Sequence, residues 1–401
     1  MIKYEKINSK TKQKELKKSI QEDNLINTTI IDKYKLLKKL GKGSYGNIYL
    51  CKDIITNKFF AAKLENKNGS TNALENEYQI MKNIKCDRVP LIKQYSENNI
   101  YNILIMQLLG KSLEQIFEQI LNKEKMSIKC VCNLSIQMIE ILELIHNKNI
   151  IHRDIKPSNF LMGNDLNTYN YLYLIDFGLA TKYRDSANSN HYKMIKGKKL
   201  IGTVRFASVN AMNGLSQSRR DDLESIGYVL IYFLKGKLPW QNLLIKNKEE
   251  RYEKIREIKS NIDIKILCSD LPEELSAYLT YVKNLKYDED PNYDFIKGLF
   301  KNLLNKIGEK FDYCYDWDNS KAVIDLNQYE DKKVNKDIFD DDNIRIKLPL
   351  NKIKYKKLRT KRNKSQDKST NDEDSNLESE EFNNSNEKIL LQNSNDCCTI
   401  M

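Results

Sequence analysis

The sequence predicts an α+β protein in which a small β-rich part precedes a larger helical part. Alternating apolar and polar residues, broken by glycines, begin at Tyr34 and recur in the segments 58–65 and 100–109. Apolar residues at helical spacing dominate residues 127–146 and return from Asp221 to about Ile307. With 401 residues, of which 40% are hydrophobic, the chain is long enough to bury a substantial core.

The β-rich part is predicted to open with a hairpin. YKLLKKLGKGSYGNIYLCKD (34–53) alternates, breaks at glycines and alternates again, which is typical of two strands joined by a glycine turn. KFFAAKLE and IYNILIMQLL (58–65 and 100–109) predict two further strands. Between them, NALENEYQIMKNI has the period of a short helix, and one stripe of it carries most of its large apolar side chains. These are Leu74, Tyr78, Met81 and Ile84.

The second part is predicted to be mainly helical. SLEQIFEQIL and the stretch 127–146 have helical spacing, and a loop, IIHRDIKPSNFLM, interrupts it together with short strands around YLYLIDFG. The core is expected to end near DYCYDWD (312–318). We therefore predict a core domain over residues 34–318, with its two parts meeting between residues 106 and 107.

Charge divides the flanking segments. Residues 1–33 form a basic extension that we expect to be disordered or weakly helical, and residues 319–401 form a low-complexity tail. In this tail, 345–364 carries ten Lys or Arg and no acid, whereas 365–396 carries nine acids and two lysines. The net charge of +12 indicates an anionic partner, without choosing among nucleic acid, a membrane face and an acidic or phosphorylated protein.

Several protein classes do not fit this composition. The eight cysteines form neither a paired zinc motif nor a disulfide framework, and we expect the first six to be buried reduced thiols of a cytosolic protein. The N-terminus has no apolar core for a secretory signal. The longest apolar run, near 228–234, is roughly one third of a membrane-spanning helix. We therefore expect a soluble protein unless a lipid is attached.

The glycine-rich stretch GKGSYG (Gly41–Gly46) matches the spacing G-x-G-x-x-G. Dinucleotide-binding folds use the same spacing, but there the loop opens a helix. Here the strand-forming NIYLCKD follows, so the loop is predicted to bridge two strands as a flap over ATP phosphates. An ordinary glycine hairpin remains open on this motif alone.

Lys63 stands within a predicted strand among small apolar residues, where a charge needs a partner. At 100° per residue, Glu77 lies within the apolar stripe of the short helix, whereas Glu75 points away from it. The pattern predicts an ion pair that aims Lys63 at the α- and β-phosphates of ATP. A solvated surface lysine is the alternative.

HRDIKPSN and DFG (residues 152–159 and 176–178) provide the groups that phosphoryl transfer needs. Asp154 can accept the proton of a substrate hydroxyl, and Lys156 can steady the γ-phosphate. Asn159 and Asp176 offer oxygen ligands suited to Mg²⁺, and His152 is expected to hold the loop. The joint occurrence of these motifs, in this order and spacing, predicts an enzyme that uses ATP and Mg²⁺.

Through these motifs the chain resembles the eukaryotic protein kinases over about residues 34–318. Most of them end the activation segment with Ala-Pro-Glu, where this chain has SVN (208–210) within GTVRFASVNAMNGLSQSRRDDLESIGYVL. Together with LLGKSLEQIF, KYRD, LPWQ and FDYCYDWD, this is similar to the casein kinase I family. The resemblance implies a bilobal kinase fold and phosphorylation of Ser or Thr downstream of acidic or phosphorylated residues. It also implies activity without prior phosphorylation of the activation segment.

The resemblance also implies roles for individual residues. Lys198 and Arg205 fall where the family binds the upstream anion, although Lys198 as a solvated loop charge is the alternative. The position of the family's third basic residue is occupied by Leu244. Met106 would be the gatekeeper, Gln107–Leu109 the hinge, and Asp222 the anchor of the catalytic loop. The predicted nucleotide site comprises Leu40, Gly41, Lys42, Gly43, Ser44, Tyr45, Gly46, Asn47, Ile48, Ala61, Lys63, Glu77, Met106, Gln107 and Leu109.

The last residues match a lipidation motif. Cys398-Thr399-Ile400-Met401 fits Cys-a-a-X, with Met favouring farnesyl, and Cys397 could carry a palmitoyl chain. The basic cluster 345–364 could meet anionic lipids as a second signal. Some casein kinase I members are held at membranes through C-terminal lipid, so the resemblance supports this prediction, while a terminus without such a role is the alternative. We expect a cytoplasmic protein, with attachment to the cytoplasmic face of a membrane and a nuclear pool left open.

Two other functions compete with an active kinase. A pseudokinase scaffold would bind partners through the same fold, but it predicts lost catalytic residues, and here none is lost. A nucleic-acid binder would fit the charge, but the tail lacks interleaved aromatic residues beyond Tyr355, so we expect no specific nucleic acid. The expected partners are protein substrates, and the expected oligomeric state is a monomer.

Overall fold

The computed structural model describes residues 25–43, 46–67, 72–185, 189–317 and 321–329. Predictions that involve residues 1–24, Ser44, Tyr45 or the tail from residue 330 onward lie outside these residues. They include the basic and acidic tail segments and the lipidation candidates Cys397 and Cys398.

A six-stranded antiparallel sheet forms the first part of the protein, with strands in the order β1-β2-β3-β4-β6-β5. β2 and β3 form the predicted hairpin on either side of the glycine-rich loop. Its strands are β1 (Thr29–Ile30), β2 (Tyr34–Lys42), β3 (Asn47–Asp53), β4 (Phe59–Asn66), β5 (Ile92–Glu97) and β6 (Tyr101–Gln107).

The register of the sheet gathers the predicted nucleotide-site residues on one face. Lys63 pairs with Ile48 on one side, and Ala61 pairs with Met106 on the other. Because side chains two residues apart on a strand share a face, Ala61 and Lys63 point the same way, and their cross-strand partners point with them. This face is covered by helix α1 (Ala73–Ile84).

Helix α1 has the predicted apolar stripe, with one difference. Leu74, Met81 and Ile84 are buried together with Glu77, as the 100° spacing of residues around a helix predicts. Tyr78 is only half-buried and stacks on the ring of Tyr95 at 4.7 Å. The carboxylate of α1 is thus carried into the interior by its apolar neighbours.

Residues 25–33 correct the prediction of a disordered or weakly helical extension. They form two turns around β1, and the N–H of Asn27 donates to the carbonyl of Leu36 at 2.7 Å. Leu25 and Ile30 pack on a second hydrophobic cluster that contains Tyr34. The sheet therefore begins earlier in the chain than its alternating pattern does.

The second part is helical, as predicted, and confirms the α+β class. Its central helices α3 (Ile128–His146) and α5 (Arg219–Lys235) pack on each other, and α8 (Glu273–Asn284) and α9 (Tyr293–Lys306) cover them. The segment 112–121 departs from a regular helix, since a single α turn runs directly into a π turn, Ile116–Ile120. The helices are α2 (Leu113–Gln115), α3 (Ile128–His146), α4 (Val209–Met212), α5 (Arg219–Lys235), α6 (Lys248–Asn261), α7 (Ile264–Leu267), α8 (Glu273–Asn284) and α9 (Tyr293–Lys306).

Two short antiparallel pairs hold the motif loops side by side. β7 (Ile150–Ile151) pairs with β10 (Thr181–Lys182), and β8 (Phe160–Met162) pairs with β9 (Leu172–Leu174). HRDIKPSN runs from β7 to β8, and DFG lies between β9 and β10. The two pairs therefore fix both ends of each loop.

After α9 the chain returns across the helical part as an irregular stretch, which we call the return segment (residues 311–317 and 321–329). Asp316 accepts hydrogen bonds from the backbone N–H and the hydroxyl of Ser127 at the start of α3. The carbonyl of Ala322 accepts from Lys111 N–H at 2.7 Å, directly after the predicted hinge. The last described residues thus contact the junction of the two parts.

Six cysteines lie among the described residues, and all six are free thiols. Cys51, Cys130, Cys132 and Cys268 are buried, as expected, but Cys86 is half-buried and Cys314 is exposed. Burial raises the pKa of Cys51 to about 12. Within the described part of the chain, no helix combines the length and apolarity needed to cross a bilayer.

Candidate active site

Gly43 and Gly46 of the glycine-rich loop both lie close to β4. The N–H of Gly43 donates to the carbonyl of Gly46 at 2.8 Å. A Cβ on Gly46 would stand 2.2 Å from the carbonyl oxygen of Leu64, so glycine is needed for this close approach. A Cβ on Gly43 would stand 3.3 Å from Cε of Lys63, which places the loop against the amine end of that lysine. The loop joins two strands, as predicted, and does not open a helix.

Lys63 is a bridge between two carboxylates. Its Nζ lies 2.6 Å from Oε2 of Glu77 and 2.7 Å from Oδ1 of Asp176, and its side chain is 3% exposed. Burial disfavours the charged amine, but the two carboxylates outweigh it, so the pKa of Lys63 is raised. The predicted ion pair with Glu77 is confirmed, and the alternative of a solvated lysine is wrong.

The carboxylate of Asp154 is held mainly by Lys156 and Thr203, with a longer contact of 3.4 Å from Nδ2 of Asn159. Oδ2 lies 2.7 Å from Nζ of Lys156, and Oδ1 accepts a hydrogen bond from the hydroxyl of Thr203 at 2.7 Å. Lys156 also donates to the Thr203 hydroxyl at 3.3 Å. The carboxylate is therefore buried yet fixed in direction, with a positive charge beside it.

The predicted magnesium ligands lie on the two neighbouring loops. Asn159 donates from Nδ2 to the carbonyl of Asp154 at 2.9 Å, which leaves its Oδ1 as the ligand atom. Asp176 adopts φ of 67° at the start of DFG and uses Oδ1 for Lys63. Among the described residues, no group of three or more His, Cys, Asp or Glu could hold a metal. An amide and one carboxylate suit Mg²⁺ that arrives with phosphate oxygens and water, rather than a permanently bound ion.

His152 holds the loop, as expected, and is not placed for chemistry. Its Nε2 lies 3.0 Å from the carbonyl of Ile175, and its Nδ1 accepts from the N–H of Asp154 at 3.3 Å. The ring packs edge-on against Phe177 at 5.1 Å. One imidazole thus ties HRDIKPSN to the strand that leads into DFG.

The buried carboxylate of Asp222 in α5 anchors the backbone of the same loop, as predicted. Its carboxylate accepts from the N–H groups of His152 at 2.7 Å and Arg153 at 2.8 Å. His146 contacts the same carboxylate through Nε2 at 3.1 Å. Burial works against ionisation of Asp222, but these donors outweigh it and lower its pKa. The charge of Asp222 stabilises Arg153 in a left-handed backbone conformation with φ of 68°.

With these contacts, the elements for binding and transferring a phosphoryl group stand together. A family model described as the protein kinase domain matches residues 34–306, more than half of the chain. The chain belongs to the protein kinase family. Its sheet part is the N-terminal lobe and its helical part the C-terminal lobe of the bilobal kinase fold. A domain of this family is an ATP-dependent transferase and usually uses Mg²⁺.

The predicted hinge is the short stretch that begins at the last residue of β6, Gln107. Met106 is buried opposite Ala61, and the N–H of Gln107 donates to the carbonyl of Leu91 at 2.8 Å. Leu109 is buried, and the N–H of Gly110 donates to Met162 in the C-terminal lobe at 2.8 Å. The stretch therefore connects the lobes where the resemblance places the hinge, and the contacts of Met106, Gln107 and Leu109 with adenine stay predictions.

The predicted anion pocket is more complex than the sequence indicates. Lys198 is exposed, and its backbone N–H donates to Gly214 at 2.9 Å. Arg205 instead lies 3.6 Å from the carboxylate of Glu114. Glu114 is partly buried, and this burial raises the pKa of its carboxyl group. Leu244 is fully exposed. An incoming anion would compete with Glu114 for Arg205, and a shared pocket with Lys198 stays a prediction.

Sequence reasoning missed three residues of this site: Thr203, Glu114 and His146. Each of them contacts a predicted residue across a long stretch of chain, so no local spacing marks it. Gly202, which precedes Thr203, is the available signal. It has φ of 101°, and a Cβ there would stand 2.3 Å from the carbonyl of Arg153. Position 202 must be glycine because its backbone touches the catalytic loop. The next residue, Thr203, is therefore expected to reach that loop too.

Proposed function

We propose that this protein is a serine/threonine kinase of casein kinase I type, which transfers the γ-phosphate of ATP to Ser or Thr of protein substrates. The observation that carries the proposal is the bridge of Lys63 between Glu77 and Asp176. Phosphoryl transfer by a protein kinase requires an ion pair between the strand lysine and a helix glutamate, and it requires the aspartate of DFG in position. In this protein Lys63 contacts both Glu77 of α1 and Asp176 of DFG.

In the proposed reaction, the oxygen of a substrate hydroxyl attacks the γ-phosphorus and the bond to the β–γ bridging oxygen breaks. The hydroxyl proton passes to the carboxylate of Asp154, and ADP and the phosphoprotein leave. Thr203 and Lys156 hold that carboxylate from two sides, so its direction is set before substrate binds. Lys156 adds positive charge beside the acceptor, where the charge of the transferred phosphoryl group develops.

The nucleotide would lie between the sheet face and the hinge. Lys63 would donate to the α- and β-phosphates, and the backbone of Gly43 and Gly46 would cover them. Asn159 and Asp176 would hold Mg²⁺, which neutralises phosphate charge when it is bound. The adenine would meet Ala61 and the backbone of residues 107–109.

The proposed substrates carry acid or phosphate upstream of the modified residue. Lys198 and Arg205 are the proposed contacts for that group, and the exposed Leu244 in place of a third base should weaken the preference for phosphate. Glu114 favours the same outcome, because it already neutralises part of the Arg205 charge.

The decisive test is transfer of labelled γ-phosphate to an acidic protein and to a degenerate peptide library. Asp154→Asn should abolish transfer. Asp294→Asn is the matched control, because its side chain is 93% exposed. Equal transfer by the wild type and Asp154→Asn would refute the assignment of Asp154, and no transfer by the wild type would favour a scaffold. The library would report whether Ser or Thr is chosen and whether an upstream anion is required.

We also propose that the kinase works at the cytoplasmic face of a membrane through lipid on Cys398 and Cys397. The support is the Cys-a-a-X ending and the basic cluster 345–364. In cell fractionation, Cys398→Ser should move the protein from the membrane pellet to the soluble fraction. Cys314→Ser is the control, because Cys314 is an exposed thiol outside the tail. An unchanged distribution of Cys398→Ser would defeat this proposal and leave the kinase assignment untouched.

A further inference from the structure

Helix α6 is a polar helix with an unexpected interior residue. Of its fourteen residues, all of them described, Lys259 alone is buried, and it is fully so. A lysine almost never loses all contact with water unless its charge finds partners. The partners of Lys259 therefore indicate what this helix is for.

Lys259 donates to two backbone carbonyls of the activation segment. Its Nζ lies 2.8 Å from the oxygen of Val204 and 2.7 Å from that of Ala207. The same ammonium group stands 4.7 Å from the ring centre of Tyr228 and 4.8 Å from that of Trp240. Burial lowers the pKa of Lys259 to about 7, and the aromatic faces and carbonyl oxygens are the contacts that favour its charged form. The ammonium group is thus enclosed between two rings and the backbone it supports.

Two other side chains of α6 bind the continuation of the same segment. The hydroxyl of Tyr252 donates to the carbonyl of Met212 at 2.8 Å, and Arg256 donates to the side chain of Asn213 at 3.4 Å. Tyr252, Arg256 and Lys259 are spaced i, i+4 and i+7, so they form one stripe on the helix. The face of α6 that meets the protein therefore combines this polar stripe with Ile255 and Ile258, which pack on the core. Each member of the stripe contacts residues 204–213.

The stretch that is held lies beside the catalytic carboxylate. Thr203, which donates to Asp154, immediately precedes Val204. The carbonyl of Arg205, between the two carbonyls bound by Lys259, accepts from the indole N–H of Trp240 at 2.8 Å. Residues 204–206 form a turn that is closed by hydrogen bonds from the N–H groups of Phe206 and Ala207 to the carbonyl of Thr203. The donors of Lys259 and Trp240 hold this turn against the helical lobe.

We propose that Lys259 is a positioning residue for the protein substrate. It fixes the backbone of residues 204–207 and thereby the direction of Arg205 and the approach of the substrate chain to Asp154. Other contacts hold the SVN positions that follow, since the hydroxyl of Ser208 and the N–H of Val209 donate to the carboxyl groups of Asp221 and Glu224. The inference rests on the proposed kinase activity. It gives helix α6 a role in substrate specificity, because the stripe Tyr252, Arg256 and Lys259 contacts residues 204–213 and none of the predicted nucleotide-site residues.

The test is steady-state kinetics of Lys259→Met, which keeps the length of the side chain and removes its three N–H donors. The KM for an acidic peptide should rise by about tenfold or more, because hydrogen bonds from a charged group are lost. The KM for ATP should stay as in the wild type, since no contact of Lys259 reaches the nucleotide face. Lys254→Met is the matched control on the same helix, where the lysine is exposed and pairs only with Glu257.

Trp240→Phe provides a second, milder perturbation. It keeps an aromatic face over Lys259 and removes the indole donor to Arg205, so peptide KM should rise by a smaller factor with ATP KM unchanged. If Lys259→Met does not fold, this variant decides, and an unchanged peptide KM in it overturns the proposal.

Three outcomes are informative in different ways. A folded Lys259→Met with the peptide KM of the wild type overturns the positioning role. A parallel rise in both KM values, or a fall in kcat alone, also overturns it and indicates a purely structural lysine. A wild-type protein that phosphorylates no peptide contradicts the proposed function instead.

Discussion

Replacing Gly46 by alanine should damage both the stability and the activity of the kinase, for a reason that can be read from the backbone. The added Cβ would stand 2.2 Å from the carbonyl oxygen and 2.8 Å from the carbonyl carbon of Leu64. Both are backbone atoms of β4 and cannot rotate away. To restore van der Waals separation, the loop or the strand must move by roughly 1 Å.

The displacement would reach the catalytic lysine. Leu64 follows Lys63 on β4, and Lys63 makes contacts of 2.6 and 2.7 Å to its two carboxylates. Overpacking of this kind costs about 1–3 kcal/mol of folding free energy. A misplacement of about 1 Å can lower kcat/KM by about a hundredfold. We expect both effects in Gly46→Ala.

Thermal unfolding without nucleotide and initial rates of peptide phosphorylation measure the two effects. For a domain of about 300 residues, each kcal/mol lowers Tm by about 1.5–2 °C. Gly41→Ala is the control for stability, because nothing lies within 4 Å of a Cβ at Gly41. If Gly41→Ala loses as much stability as Gly46→Ala, loop flexibility rather than the clash with Leu64 is responsible. A Gly46→Ala protein with wild-type Tm and rate would refute the reasoning altogether.

Three further predictions concern the helical lobe. Gly298→Ala, inside α9 with nothing within 4 Å of the new methyl group, should stabilise the protein by about 0.5–1 kcal/mol without changing its activity, as thermal unfolding and phosphorylation rates would report. Burial raises the pKa of Asp221 to about 7 in the folded protein. Between pH about 4 and 7 the unfolded chain loses this proton while the folded chain keeps it, so the free energy of unfolding of the wild type falls as pH rises. Relative to Asp221→Asn, the wild type should lose at most about 4 kcal/mol across that range, and parallel Tm curves for the two proteins would contradict this. A chain ending at residue 317 should be less stable than one ending at residue 329 by roughly 2–4 kcal/mol, because Ile324, Leu326 and Tyr329 pack on the core; equal denaturant midpoints would show that these contacts contribute nothing.

Much of the site was predictable because its residues follow local rules. The pairing of Lys63 with Glu77 follows from the period of α1 and from the cost of a buried charge. The hairpin follows from alternation around glycines, and the anchoring role of Asp222 follows from a resemblance carried by neighbouring residues. For the ion pair and the hairpin a short stretch of sequence contains the physical cause, whereas the role of Asp222 was implied by the resemblance.

The remainder depends on contacts between distant segments. β1 has two residues, too few for an alternating pattern. Lys259 stands in a helix of lysines and glutamates, where sequence predicts a solvated charge, and only the position of Val204 and Ala207 shows that it is buried. Arg205 faces Glu114 because a turn of the activation segment meets helix α2 in space, and no rule of spacing links them.

The return segment has a consequence for the order in which the protein folds. Ser127 and Asp316 are 189 residues apart, and Ile324 reaches back 160 residues to Asn164. A chain emerges from the ribosome N-terminus first, so the hinge region and the start of α3 are made long before the residues that cap them. Until then Lys111 lacks the carbonyl of Ala322, and part of the core surface stays open to water. Contacts of such long range are costly in loop entropy and tend to form late. Completion of the kinase core is therefore a late step in its folding, and nascent or truncated chains that stop before residue 321 lack the contacts that cover this surface.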